Sequence, residues 1–527
     1  MNFELIATYY FSIFEKCKND FTFLSNNNIV LTTRFLILVS LIFITIRLCA
    51  QEPTDRVDMV WGEKLFLESK NILPEIIGYD STGFYALLQD YRWAVEHYDT
   101  ALGQARREYL AMNYGFRTRE LVALVHFHGV LYLFTSEMRF RSHVLFVQTI
   151  DKQTLLQNGD ERLLIEVPDM GGWRADFHVT LSRLEKKLLV VSRTIIWGPK
   201  IQEIRFMVFG EGLELEWESG DRIQHDKKIY SVAEFLVDET GNAYMICLYY
   251  QPVLLQHFSE RKNSYLIVAF TEQGNSVNRY LADFPNRYIR GIGIETTLDN
   301  ELACAGFYSP SINDHSIDGL FFFTIDHEYH IINNLKFHEM ESYFLKESMN
   351  LRPDQEYKYL YSFYLDHLVL RENGNFIISG EQLFDQSYDN HMNIIVMGLT
   401  AEGDVMWERV IRKVQNHAMN TTHNYASYAL LAPPHWNKIE ILYNENLKNL
   451  NRDPEKDLVS FVYNSKAYLS CVEIGEFGEM GKDIIYLKKK KRMLTPAPLF
   501  YYDMKTNEMV MPALHYRKFK FMKLTFN

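Results

Sequence analysis

The sequence predicts an all-β fold, and three observations carry that prediction. The stretch Leu365 to Val414 breaks into four short runs rich in β-branched residues, at 368–370, 376–380, 394–399 and 405–411. Its two outer connections, Glu372-Asn373-Gly374-Asn375 and Ala401-Glu402-Gly403-Asp404, place Gly where a hairpin turn needs positive φ. Degenerate copies of this meander recur at intervals of roughly 45 to 75 residues, the range of propeller blades with variable loops. Phe and Tyr number 36 and 33, a bias that suits strands packed face to face. An antiparallel meander of this kind is one blade. The expected architecture is therefore a β-propeller of four-stranded antiparallel blades.

Taken in order, the chain begins with residues 1–50, set apart from a single propeller domain over 51–527. Within them Phe35 to Ile46 is an apolar run, preceded by Arg34 and followed by Arg47-Leu48-Cys49-Ala50. A run of about 12 residues has the length of a signal-peptide core and falls short of the ~20 that span a bilayer. Cleavage after Ala50 would start the mature chain at Gln51 and export it to the periplasm, cell envelope or exterior. A lipid anchor on Cys49 and an uncleaved membrane anchor are the alternatives, although Leu48 stands where a lipoprotein signal wants a small residue. Residues 1–28 do not fit a signal peptide, which starts near its positive charge. Translation from around Leu31, through an alternative start codon, would remove them.

The repeats follow. The first, 75–109, turns at Ser81-Thr82-Gly83; the second, 121–167, at His128-Gly129; the third, 177–220, at Leu184 to Lys186. The fourth, 231–284, carries Gly241-Asn242 in the position of Gly374-Asn375, and the fifth, 291–337, replaces that turn with Leu298-Asp299-Asn300. The type stretch is sixth. The seventh, 425–474, is irregular, and its Pro433-Pro434 is tolerated only at a strand end or turn. The last segment, 499–526, supplies three strands. Its missing fourth should look like Val405-Met406-Trp407-Glu408, and Met59-Val60-Trp61-Gly62 does. An N-terminal strand within 57–65 is therefore expected to complete the final blade and remove two exposed sheet edges. The count is eight blades, with seven as the alternative if the irregular seventh repeat is not one.

These repeats resemble the secreted bacterial β-propeller repeat proteins over nearly all of 51–527. The Gly403-Asp404-x-x-Trp407 element resembles, more distantly, the blades of quinoproteins, with Trp61 and Trp217 as further copies. The resemblance implies shape alone, since propellers host unrelated functions.

Composition narrows the function classes. A formal charge of −12 argues against general nucleic-acid binding, where a basic surface supplies most of the affinity. Against that background Lys488 to Arg492 reads as a solvated loop. The five cysteines show no CxxC pair and no metal-ligand spacing, and Cys247 and Cys304 sit in apolar strands as buried thiols. No nucleophile motif or phosphate-binding glycine loop is present, so no catalytic residue, metal or cofactor is expected.

Propeller geometry sorts the loops. Turns within the first and second hairpins of each blade lie on one face, and here they are tight. Loops between second and third strands, and those between blades, lie on the other face, where the long pieces at 251–264, 309–318, 338–364, 382–393 and 415–424 collect. Long loops on a rigid scaffold are where binding resides. Asp314, His315 and Asp318 in one loop, and Asp389 and His391 in the equivalent loop of the next blade, could surround a cation or a sugar. Side-chain turns in exposed loops are the plain alternative. Arg287, Arg290, Trp173 and Arg174 fall at blade junctions, where they could line a central pocket or simply stack between blades. The expected function is that of an exported, non-enzymatic propeller that binds a protein or glycan partner through its long-loop face. The alternative is a glycan hydrolase or lyase with carboxylates in the central funnel.

Overall fold

The computed structural model describes residues from Arg56 to Phe526, with short interruptions of which 251–262, 350–358, 418–424 and 488–493 are the widest. The apolar run at 35–46, the expected cleavage point and the basic run at 488–492 lie outside the described residues.

Eight antiparallel meanders follow one another at 75–109, 120–168, 176–224, 229–282, 288–339, 363–411, 429–487 and 501–526. First strands of neighbouring meanders pack side by side, as Tyr288–Thr296 does on Phe363–Leu370, so these strands ring a central axis. The protein is an eight-bladed β-propeller. Its core is divided among eight apolar clusters, one in each interface between neighbouring blades. The interface of blades 8 and 1 shows how such a cluster holds. Phe84 stacks on Tyr98 at 4.7 Å and meets Phe521 of blade 8 edge-on at 4.8 Å. Each such side chain, fully buried, contributes roughly 1.5–3 kcal/mol.

The ring is fastened by the chain's own N-terminal strand. Val57–Trp61 pairs antiparallel with Lys518–Phe526, from Val57 opposite Phe526 to Trp61 opposite Met522. Leu65–Phe66 extends the same ladder. Arg56, just before this strand, pairs with Glu473 at 2.8 Å and with Asp483, both in blade 7. The last blade thus has its fourth strand, and the outer edge of Lys518–Phe526 is covered.

The repeated tryptophan has a structural task. Trp217 Nε1, in the outer strand of blade 3, donates to the Gly241 carbonyl of blade 4 at 2.8 Å. Trp407 Nε1, in the outer strand of blade 6, donates to the Glu476 carbonyl of blade 7 at the same distance. Each indole fastens its blade to a turn of the next.

Two expectations need correction. The seventh repeat does not end at Ile474, because a fourth strand, Met480–Leu487, follows a tight turn closed by Gly475 N–H on the Glu479 carbonyl at 2.9 Å. Its polar start, Gly481-Lys482-Asp483, hides it in the sequence, and Lys482 is satisfied by Glu445 Oε2 at 2.6 Å. The polar stretch 382–393 is no loop either. The second and third strands of blade 6, Phe376–Gln386 and Tyr388–Leu399, run on through it as a projecting ribbon.

Candidate functional site

The two ends of the axis differ. At the tight-turn end, the turn between the first two strands of blade 3 (Asp176–Leu181 and Leu188–Ile196) lies across the axis. Its Arg183 Nη2 donates to the Leu370 carbonyl of blade 6 at 2.7 Å, and Nη1 lies 3.7 Å from Glu295 of blade 5. Glu239 of blade 4 accepts from Ser182 Oγ at 2.8 Å and from the Leu184 N–H at 2.5 Å. Glu185 is hydrogen-bonded to Tyr501 of blade 8. Only a segment on the axis can reach blades 4, 5, 6 and 8 together. Burial raises the carboxyl pKa of both Glu185 and Glu295.

At the other end the chain adds structure above blades 5 to 7. The blade 6 ribbon gains an antiparallel strand, Gln415–His417, which pairs in turn with Phe461–Val462 in parallel. Ser316–Ile317 pairs with Leu360–Tyr361, and a short helix, Ser342–Ser348, buries Phe344 and Leu345 in the apolar cluster of blades 5 and 6. This is the face expected to carry the long loops.

A buried polar cluster supports the ribbon from beneath. Glu381, 2% exposed, accepts from His391 Nδ1 at 2.7 Å and forms an ion pair with Lys413, 1% exposed. Lys413 Nζ also donates to Gln415 Oε1 at 2.8 Å, and Gln415 Nε2 reaches the Asn444 carbonyl of blade 7 at 2.7 Å. Burial alone would raise the Glu381 carboxyl, but the Lys413 ammonium and the His391 bond outweigh it and hold it below the usual range.

Asp366, on the first strand of blade 6, belongs to the same cluster but is exposed to solvent. Its Oδ2 accepts from Tyr428 Oη at 2.8 Å, and Tyr428 is itself 2.8 Å from Ser379 Oγ. Dense surroundings, and then the Glu381 charge, push the Asp366 carboxyl up to about 7 in spite of the tyrosine donor and Lys413. Two carboxyls of one cluster are thereby driven apart, one held ionised and one half-protonated near neutrality.

The sequence-chosen residues scatter. Asp314, His315 and Trp173 lie outside the described residues. Asp389 is on the ribbon, opposite Asp385 and His417, and His391 is buried on Glu381 rather than exposed in a loop. Asp318 lies beside the blade 5 sheet, with its N–H on the Tyr308 carbonyl at 2.9 Å; burial and then Glu339 raise its carboxyl. Arg287 stacks on Phe337 at 4.2 Å and on Tyr308 at 5.4 Å. Arg290 Nη2 donates to the Ser311 carbonyl at 2.7 Å, and Arg174 pairs with Glu120 at 3.1 Å between blades 2 and 3. Asp318 and Arg287 meet beside Tyr308, where the guanidinium partly offsets the rise in the Asp318 carboxyl; the other described residues are not joined to them or to one another among the described contacts. Asp366, Glu381, Lys413 and Tyr428 went unmarked. The available signal was Glu381, a carboxylate inside an apolar central strand that must find a cation.

Among the described residues no group of three or more His, Cys, Asp and Glu side chains is arranged to hold a metal ion. The described cysteines, Cys247, Cys304 and Cys471, are buried thiols whose pKa burial raises, that of Cys247 to about 12. Within this cluster Asp366 is exposed to solvent, whereas Glu381, His391 and Lys413 are buried.

No family model and no curated protein matches this chain. Similar solved structures include a prolyl oligopeptidase B from Galerina marginata, at 10% identity and TM-score 0.38; the match covers 88% of this chain, which spans 55% of that one. An oligogalacturonate lyase from Vibrio parahaemolyticus is similar at 8% identity and TM-score 0.33, over 88% of this chain and 98% of that one. A protein from Lactobacillus plantarum is similar at 12% identity and TM-score 0.34, over 78% and 96%. Scores this low carry no argument, and the fold stands on the strand pairing itself.

Proposed function

We propose that this chain is an exported, non-enzymatic propeller that binds a protein or glycan partner on its elaborated face. One observation carries the reading: the added secondary structure of blades 5 to 7 gathers on the face opposite the turn that crosses the axis. Rigid blades beneath an elaborated rim suit recognition. Export rests on the apolar run at 35–46 between Arg34 and Arg47.

The test is capture from the envelope fraction with three baits. They are the intact chain, a variant whose ribbon is cut by replacing 384–390 with Asn-Gly, and a control altered on the opposite face by Lys505→Ala. The intact chain and the control should retain the same partner and the trimmed ribbon should lose it. Equal retention by all three overturns the reading.

A second reading, a glycan hydrolase or lyase, draws on Asp366, whose carboxyl titrates near neutrality beside an ionised neighbour. Glycan cleavage that disappears in Asp366→Asn, with the fold intact, would favour it over the first.

A further inference from the structure

On the tight-turn face, away from the ribbon, blades 6 and 7 enclose a cleft of ≈ 300 Å³. Ile377, Met406, Trp407, Trp436 and Ile439 line it, and so does Arg371, the residue that follows the first strand of blade 6. Arg371 is 7% exposed. Its Nη2 donates to the Trp436 carbonyl and, at 3.1 Å, to the Lys438 carbonyl. Its Nη1 is buried and has no hydrogen-bond partner among the described residues. No carboxylate forms an ion pair with it there, and Glu476 acts on it only at longer range.

The surroundings are hostile to this charge. Burial, and then repulsion from Arg183, pull the guanidinium down to about 10. Holding two carbonyls requires a donor but no charge, and a buried cation with an unused donor is destabilising until something answers it. An apolar-walled cleft with one unanswered cationic donor has the anatomy of a small-ligand site. We propose that this cleft binds a small monocarboxylate with a flat apolar body, its carboxylate on Arg371 and its body against the indoles and isoleucines. The planar guanidinium matches a carboxylate in shape as well as charge. Glu372 and Glu476 also line the cleft and repel a dianion, which sets phosphate esters aside. The site is independent of the elaborated face and of any partner bound there.

Benzoate is the probe and benzamide its neutral counterpart. Calorimetric titration of the full chain at pH 7 should show one saturable site for benzoate, with a matching change in tryptophan fluorescence. Benzamide should bind at least about 10-fold more weakly. Arg371→Gln should abolish benzoate binding. Because Arg371 also ties two carbonyls, Met406→Trp serves as the second variant. It fills the cleft without touching those bonds, and should remove binding at an unchanged melting temperature. Equal binding of benzoate and benzamide overturns the proposal, as does undiminished benzoate binding by Met406→Trp. So does the absence of any saturable signal up to about 10 mM benzoate.

Discussion

The two ends of the propeller axis are secured by different chemistry. At the tight-turn end, Arg183 and the carboxylates around Ser182 to Lys187 bond chiefly to main-chain groups and hydroxyls already positioned by their sheets. At the loop end, added secondary structure rests on Glu381 and Lys413, a charge pair sealed from water. A buried ion pair is a weak source of stability, since desolvation offsets most of its attraction, but breaking one partner of it is strongly destabilising. The difference teaches that the loop end gives up apolar packing for fixed polar geometry under the ribbon, whereas the turn end has no such need.

The largest expected effect breaks both ends at once. Starting the chain at Ser69 removes the fastening strand and the Arg56 pairs, exposing the outer edge of Lys518–Phe526. Unfolding or aggregation is expected, a loss of roughly 5 kcal/mol or more, read by light scattering and thermal melts. A soluble, equally heat-stable monomer would falsify the closure. Next, Lys413→Met should strand the Glu381 charge and destabilise by about 3–5 kcal/mol in denaturant titrations. At the turn end Arg183 and Glu295 are less deeply buried and lie 3.7 Å apart, so Arg183→Met should cost only about 1–2 kcal/mol. Similar losses for both substitutions would remove the contrast.

Within the turn end, two glycines sharpen the picture. A side chain at Gly403 (φ +85) would come 2.1 Å from Phe322 Cδ1 of blade 5, whereas at Gly129 (φ +78) nothing lies within 4 Å. Gly403→Val should therefore cost about 3 kcal/mol or more and Gly129→Val about 1–2 kcal/mol, the backbone strain alone. The last effect, at Asp366, depends on pH. With its pKa raised from 3.8 to about 7, the folded state holds the extra proton between those values. Its contribution is full at low pH and is lost as pH rises toward 7. Asp366→Asn should melt above the wild type at pH 8, with the gap closing toward pH 4. A gap independent of pH would show that Asp366 does not titrate as described.

The fold was legible because blade patterning is local. Turn glycines such as Gly374 and Gly403, and apolar runs between them, mark each hairpin, and the Met59-Val60-Trp61 echo of Val405-Met406-Trp407 exposed the closure. The blade 7 strand at 480–487 escaped because its apolar residues come late, behind Gly481-Lys482-Asp483. The ribbon escaped for a related reason: 382–393 is polar, and the strand at 415–417 that pairs with it, itself backed by 461–462, lies beyond the fourth strand of the blade. The buried cluster was hidden more deeply. Asp366, Glu381, Lys413 and Tyr428 come from a first strand, a second strand and two connections. Only the folded ring brings them together, and no spacing rule links them.

The closure also dictates an order of events. Among the described elements, Val57–Trp61 is the first strand to be made and its partner, Lys518–Phe526, the last. At a synthesis rate of about 5–20 residues per second, the first strand waits roughly 25 to 90 seconds for that partner. Seven blades can stack progressively in the meantime, but the eighth interface cannot form until the two ends of the array meet. Assembly is therefore gated by its final step, and the partly built arc keeps a bare edge at each end throughout that interval.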